Sequence, residues 1–542
     1  MRAPWTSVSE VRTEQGKAPV SEPREKKLHP HPPSPRASYE LRLRARHWAD
    51  TMIVLGILQY LQTLLTPSVL RHSIVALLAL LGSLIAGLLY TGRRHAVRRQ
   101  LRHLRRVGVS PGQSNMSDQY DSRYDVPEGE GRPSIGRPVR IKAIYLHPVK
   151  SFAPVEVSRA LLTKSGFMYD RCFAIAAEVT EPDPDPDSDP GTGARRKFWR
   201  FISQRTKPAM SLIKTELWLP HESSNPVDVL VRAGGCVLIR FPDPDRPTWP
   251  RRLEAFLHTW NPSLAPEFSF IAPLNPDHVA TSPDGADEAA LALRSFVIHG
   301  RTAQGLDMGA VSSVAQGLPR MKKFLGIPDS TPLTLLKCTP ETLVRTTKNL
   351  APLKHIGSPA THGYTDQQPV HLASLSSVHA VANLLPRENQ PLNALRFRAN
   401  MWVTGAPAFD EERWKRYRIV RKNDELGTPT RARVDAVLCV VCRTSRCTMP
   451  NVDPDKGVFD TDVPAPNRKK GRPQPSTTLM EHRTVEDGNK AAMGYMGMHC
   501  VPEDRSLNEA QEQDADLYVH VGDEIEVLER GQHLYGSTGD DY

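Results

Sequence analysis

The chain has 542 residues and a formal net charge of +10, with 48 prolines, 7 cysteines and 6% aromatic residues. That length suits two or three domains, and the clustered prolines with sparse aromatics exclude a uniformly globular chain. An odd cysteine count without a secretory signal ahead of the folded part excludes a disulfide scaffold and predicts reduced thiols facing the cytosol. Most of the Lys/Arg excess lies before Gly108, beside apolar segments, and no zinc-finger spacing or RNA-binding aromatic motif is present. This favours a lipid bilayer over nucleic acid as the partner.

Residues 1–47 form a basic tail rich in Pro and Ser, without apolar periodicity, and are expected to be disordered. Residues 48–92 carry two apolar stretches. The first, Trp48 to Leu65, is interrupted by Gln59 and Gln62. The second, Ser73 to Tyr90, reads SIVALLALLGSLIAGLLY and has no charge. As a helix it is roughly 27 Å long, close to a bilayer's hydrocarbon thickness. Arg42, Arg44 and Arg46 precede the pair, and an arginine-rich run from Arg93 to Arg106 follows it. This predicts a membrane hairpin turned at Pro67-Ser68 with both ends cytosolic. Residues 93–138 then read as a basic juxtamembrane stretch and a polar linker.

From Val139 the pattern changes to short strands. Arg140–His147 alternates and is closed by the turn Pro148 to Ser151. Val155–Leu162 and Cys172–Val179 follow, with a turn at Gly166–Arg171 between them, then Ser211–Leu219, Val227–Val231 and Val237–Phe241. Residues 181–197, EPDPDPDSDPGTGARRK, read as a solvated, disordered insertion in a hairpin. The first β module is placed at 139–300 and a connecting region at 301–370. The connecting region holds a helix over Ala310–Leu325 and a strand over Leu333–Cys338. A second domain, 371–530, opens with a helix over Leu372–Leu385 capped by Ser374 or Ser376. Its strands are Arg396–Val403, with Arg396 and Arg398 on one face, then Trp414–Val420, Val434–Cys442 and Glu524–Leu528. Residues 459–475 are a polar insertion and 531–542 a tail. The fold class expected is a β-rich α+β protein with a small barrel or sandwich.

The chemistry concentrates after Val434–Cys442, an apolar, β-branched run suited to a strand buried on both faces. It gives way to a loop, Arg443 to Pro450, and to the turn Asp453-Pro454-Asp455-Lys456-Gly457. Cys447 thus sits at the mouth of a rigid strand, flanked by Arg443 and Arg446, a setting that favours metal ligation or nucleophilic attack. A cysteine hydrolase needs a positioned base, and nothing in the sequence ties His499 to Cys447. Cys439 and Cys442 resemble a zinc half-site, but no second pair exists, and residues three apart on a strand face opposite sides. Both are expected in the core. Lys150, Arg171, Arg205 and Arg398 stand at strand ends or turns. With Asn400 and Ser445 they form a candidate anionic pocket, since arginine forks bind phosphate. A soft thiolate beside phosphate donors suits a metal held by a phosphorylated organic cofactor.

Five segments carry a resemblance: YLHPVKS (Tyr145–Ser151), YDR (Tyr169–Arg171), QR (Gln204–Arg205), RFRAN (Arg396–Asn400) and SRCTMPNVDPDKG (Ser445–Gly457). PSTTLMEHR (Pro475–Arg483) adds a sixth. From about Val139 to Leu528 the chain resembles the MOSC family, the C-terminal domain of molybdenum cofactor sulfurases, preceded by its N-terminal β-barrel module. The branch it resembles is the mitochondrial amidoxime-reducing component. The resemblance implies a molybdenum cofactor with Cys447 as the metal's protein ligand, and pterin or phosphate contacts from Lys150, Arg171, Arg205, Arg398, Asn400 and Ser445. It implies reduction of small N-hydroxylated substrates with electrons from cytochrome b5 and NADH-cytochrome b5 reductase, and the mitochondrial outer membrane in preference to the endoplasmic reticulum. Asp453 is a candidate for proton delivery. A family-level association with pyridoxal phosphate comes with the resemblance. The other reading it allows is a MOSC protein that binds molybdenum cofactor or carries sulfur without reducing substrates. Pro450-Asn451 stands where the family usually has a Thr-Thr pair, and Thr444 stands where a first cysteine is common.

Overall fold

The computed structural model describes residues 52–60, 68–129, 138–182, 195–260, 266–276, 291–347, 351–421, 434–486 and 494–533. The expected tail 1–47, the turn at Pro67 and the middle of the 181–197 insertion lie outside them. The chain divides into two units, Met1–Ala86 and Gly87–Tyr542. Residues 52–60 are helical. Helix α1 (Ser68–Thr91) has 24 residues, and Val75, Leu77 and Leu80 on it are each more than 60% exposed. Among the described residues, whose side chains in α1 run from 71 to 87, no helix is long and apolar enough to cross a membrane. The structure therefore leaves the expected spanning hairpin without direct support.

In the second unit, helix α2 (Arg93–Gln100) leads into strand β1 (Arg105–Val107). Leu101 and Leu104 pack against Cys236, Leu238 and Ile271. The expected linker is partly folded for a similar reason. Met116 and Tyr124 are buried, and Asp118 pairs with Lys142 and Arg123. A few apolar anchors and one carboxylate dock a segment whose average polarity reads as linker.

Strands β2 (Val139–Leu146) and β3 (Val155–Val157) precede the hairpin of β4 (Phe173–Pro182) and β5 (Arg195–Phe201). Both ends of the expected 181–197 insertion are thus paired strand. Strands β6 (Lys214–Leu219), β7 (Cys236–Pro242) and β8 (Glu267–Pro273) join β1 in an antiparallel sheet, ordered β1-β6-β7-β8. The strand expected at Val227–Val231 is instead one helical turn, Val229–Arg232, because Asp228 accepts from the Leu230 and Val231 N–H groups. Strands β9 (Leu293–Ile298), β10 (Arg301–Asp307) and β11 (Leu333–Lys337) close a barrel with the first hairpin, ordered β9-β10-β11-β4-β5. Helix α3 (Ser312–Phe324) links β10 to β11.

The second domain adds β12 (Val370–Ser374), β13 (Met401–Thr404), β14 (Trp414–Val420), β15 (Ala436–Arg446), β16 (Gly494–Pro502) and β17 (Glu524–Arg530) to β2 and β3. The order is β13-β12-β16-β15-β14-β17-β2-β3, and a further β2–β13 pairing closes seven of these strands on themselves. Every residue of β12 and of β16 is buried, as expected for strands covered on both faces. The helix expected from Leu372 begins only at Leu375 (α4, Leu375–Leu384). Leu372 pairs with both Met401 and Met498, and two ladders of backbone hydrogen bonds outweigh local helix propensity.

Candidate functional site

One cleft gathers residues from both barrels. Its lining includes Arg171, Arg205, Arg398, Asn400, Ser445 and Cys447. Strand β15 runs four residues further than the sequence predicts, to Arg446, so Cys447 is the first residue beyond its end and is partly exposed. Arg446 lines the cleft and donates to the Phe397 carbonyl at 2.7 Å. Arg443, expected beside Cys447, turns to Glu412 at 2.8 Å. Cys439 and Cys442 are buried, as their spacing implies.

Arg396 and Arg398 do not share a strand face. The backbone winds through a 3-10 turn, Ala394–Phe397, and Arg398 adopts a left-handed conformation with φ 53°. That bend sends Arg396 to Asp460 at 2.9 Å and Arg398 into the cleft. Arg171 (φ 49°) and His299 (φ 48°) are left-handed as well. Three non-glycine residues in this conformation at one cleft are what over-determined functional geometry looks like.

The cleft has two electrostatic characters. On one side the charged groups are held by protein partners. Arg171 pairs with Asp170 and donates to Asn400 Oδ1 at 3.1 Å, while Asn400 Nδ2 donates to the Tyr145 carbonyl at 3.1 Å. Asp366 Oδ1 lies 2.5 Å from Lys150 Nζ and 2.9 Å from His299 Nε2, and Arg205 reaches His299 Nδ1 at 3.0 Å. Burial opposes the Asp366 charge, but Lys150 and His299 hold its carboxyl well below the usual range. Burial also pushes the Lys150 ammonium down to about 8 against the pull of Asp366. Lys150 therefore stands behind the cleft wall, bonded to Asp366 and the Tyr364 carbonyl, rather than facing a ligand as expected. On the other side, Arg398 Nη2, Thr365 Oγ1, Thr444 Oγ1 and His371 Nε2 are buried without a hydrogen-bond partner. Burial, then the charge of Arg171, pushes the Arg398 guanidinium down. A guanidinium stays protonated, so an anion is the species that relieves that cost.

Asp453 does not line the cleft. It pairs with Lys456 at 3.1 Å and accepts from the Asp455 and Lys456 N–H groups. Burial works against its charge, yet these contacts hold its carboxyl below the usual range. An ionised turn carboxylate is a poor proton donor, so the structural role replaces the expected catalytic one.

Sequence reasoning missed His299, Asp366 and His371, found Arg446 only as a flank of Cys447, and found no tie between His499 and Cys447. For His299 a signal was present. Ile298 pairs with Arg301 across His299-Gly300, both at positive φ, a two-residue hairpin turn whose sequence cue is the glycine that follows the apolar end of β9. The others carry no local signal.

The residues fit the cofactor that the resemblance implies. The unpartnered Arg398, Thr365 and Thr444 atoms offer donors to a phosphate, and Cys447 offers one soft ligand. Among the described residues no group of three or more His, Cys, Asp or Glu side chains is placed to hold a metal ion. The described lining contains no lysine, and the association with pyridoxal phosphate is left unsupported.

Two joined β barrels with a thiol-bearing, arginine-lined cleft define the class, and the family models agree. Residues 359–526 match the MOSC domain and residues 138–246 the MOSC N-terminal beta barrel domain; the chain is a MOSC-domain protein. It is similar to mitochondrial amidoxime reducing component 2 of Rattus norvegicus, 31% identical over 128 residues, covering 24% of this chain and 33% of that protein. The Bos taurus protein of the same name is 31% identical over 128 residues, 24% of this chain and 30% of its own length. The chain thus matches about a third of these curated relatives.

Proposed function

We propose that this chain is a molybdenum-cofactor-dependent oxidoreductase that reduces N-hydroxylated small molecules, with electrons from cytochrome b5 and its NADH reductase. One observation carries the reading: Cys447 leaves the end of β15 into the same cleft as Arg171, Arg398 and Asn400. A bound cofactor would supply two electrons for reducing the N–OH group, with one proton taken up by the leaving oxygen to give water and one by the nitrogen. Arg398 and Thr444 bind its phosphate. Arg171, fixed by Asp170 and Asn400, orients the Arg398 carbonyl by donating to it at 3.0 Å, and the buried strand under Cys447 holds the thiol still.

Membrane attachment through α1 is part of the proposal. It is supported by an uncharged run, Ser73 to Tyr90, inside a 24-residue helix with exposed leucines. The relatives' names support a mitochondrial address. The domain boundaries proposed remain 139–300 for the barrel module and 371–530 for the MOSC domain.

The test uses full-length protein from a cofactor-competent host, assayed on a model amidoxime with NADH, cytochrome b5 and its reductase. Wild type turns over, and Cys447→Ser loses molybdenum by roughly 100-fold or more while keeping its melting temperature. Background turnover by fully metal-loaded wild type would end the reductase reading and favour a cofactor-binding or sulfur-carrying protein.

A further inference from the structure

Two histidines given no part in that scheme face each other inside the cleft. His371 on β12 and His499 on β16 are register partners. Their ring centroids are 5.6 Å apart at 41°, and they are 6% and 3% exposed. Both line the cleft that holds Cys447. His371 Nε2 and both ring nitrogens of His499 have no hydrogen-bond partner. Leaving such groups buried and unsatisfied is costly, so this arrangement calls for a ligand.

The donor and acceptor pattern can be read. The remaining nitrogen of His371 is bonded to the Arg398 backbone. The Arg398 N–H is already given to the Leu395 carbonyl, so the bond is to the Arg398 carbonyl, and His371 donates it. His371 Nε2 is then an acceptor. Gly497, at φ 82°, keeps this atom clear: an added Cβ would stand 2.5 Å from His371 Nε2 and 2.8 Å from the Leu372 carbonyl. His499 offers one donor and one acceptor. Burial, then neighbouring charges including Arg446, pushes both imidazoles well below their usual range, His499 to about 3. Neutral rings do not add to the anion site that the arginines make.

We propose that His371 and His499 form a recognition subsite for a planar, neutral ligand edge carrying N–H beside an acceptor, of the amidoxime or aminopyrimidinone kind. The inference rests on the cofactor reading above and divides the cleft's work. Arginine and threonine groups take the phosphate, and the imidazole pair takes the uncharged edge. Two sources present this chemistry, the pyrimidinone ring of the pterin and an amidoxime-type substrate.

The test compares full-length wild type with His371→Phe, His499→Phe and the corresponding Gln variants. Pterin retained after dialysis is measured by fluorescence on denaturation, molybdenum by elemental analysis, and KM for a model amidoxime on the loaded fraction. A pterin edge predicts retention lowered about tenfold in the Phe variants, as for loss of a buried hydrogen bond, and partly restored by Gln. A substrate edge predicts unchanged retention and KM raised about tenfold, with kcat per molybdenum little altered. Phe variants that match wild type in both, at an unchanged melting temperature, overturn the inference. Should the Phe variants fail to fold, His371→Leu and His499→Leu, which also lack a ring donor or acceptor, take their place with the same expected and overturning results. Wild type without pterin sinks the cofactor reading and this inference together. Wild type with pterin but no turnover sinks only the reductase reading, and retention then decides the subsite.

Discussion

The two sides of the cleft use the same residue types to opposite ends. Lys150, Asp366, His299 and Arg205 form a chain of groups in contact with one another. Arg398 and His371 each keep an atom buried and unmatched. The matched side is a wall whose groups stabilise one another and hold the two barrels' loops in place. The unmatched side costs stability and is built for a partner that is not protein. Desolvation tells them apart: a polar group that folding satisfies belongs to the fold, and one that folding strands belongs to the ligand.

The largest predicted effect comes from breaking each side in turn. Asp366→Ala leaves the Lys150 ammonium buried with only the Tyr364 carbonyl. Since the Asp366 side chain is 38% exposed, the loss is discounted to about 2 kcal/mol, read from urea unfolding. Arg398→Met removes a charge that the fold does not need. Its unfolding stability is expected to hold or rise while cofactor retention falls. Equal destabilisation by both would erase the distinction between the sides.

Acid sharpens the comparison at a smaller scale. The folded-state pKa values of His371 and His499 lie below their ordinary value of 6.5. Protons therefore bind the unfolded chain first as pH falls through 6.5, and stability drops. Each histidine removes on the order of 1 kcal/mol by pH 5.5. Asp366 has a folded pKa below its ordinary 3.8, so its contribution persists until pH falls under about 3.8. Glu411, pushed up to about 7 by burial and then by Glu412, gains stability in the same window as the histidines lose it. The difference between wild type and a His371→Gln, His499→Gln double variant isolates the histidines. A melting profile for that difference that stays flat from pH 7.5 to 5.5 would contradict the assignment.

The smallest effect is expected at Asp453. Asp453→Asn weakens the caps on the 455 and 456 N–H groups and costs about 0.5–1 kcal/mol. Turnover per molybdenum is expected to change less than about threefold. A loss of a hundredfold would return Asp453 to the catalytic machinery.

Much of this protein was legible before folding. The β-branched run into Cys447, the Asp453–Gly457 turn and the segments around Lys150, Arg171 and Arg398 are local patterns. Strand periodicity and turn chemistry act over a few residues and leave their mark in the sequence. Where the local reading failed, neighbours decided. Val370–Ser374 became strand because two ladders flank it, Asp228 wound residues 229–232 into a helical turn, and Met116 and Tyr124 pulled a supposed linker onto the core. Only the tertiary structure placed Lys150 behind Asp366, turned Arg396 away from Arg398 and set His371 opposite His499. Those outcomes depend on register and burial between residues 64 to 216 positions apart, and a pattern confined to neighbours along the chain holds no record of them.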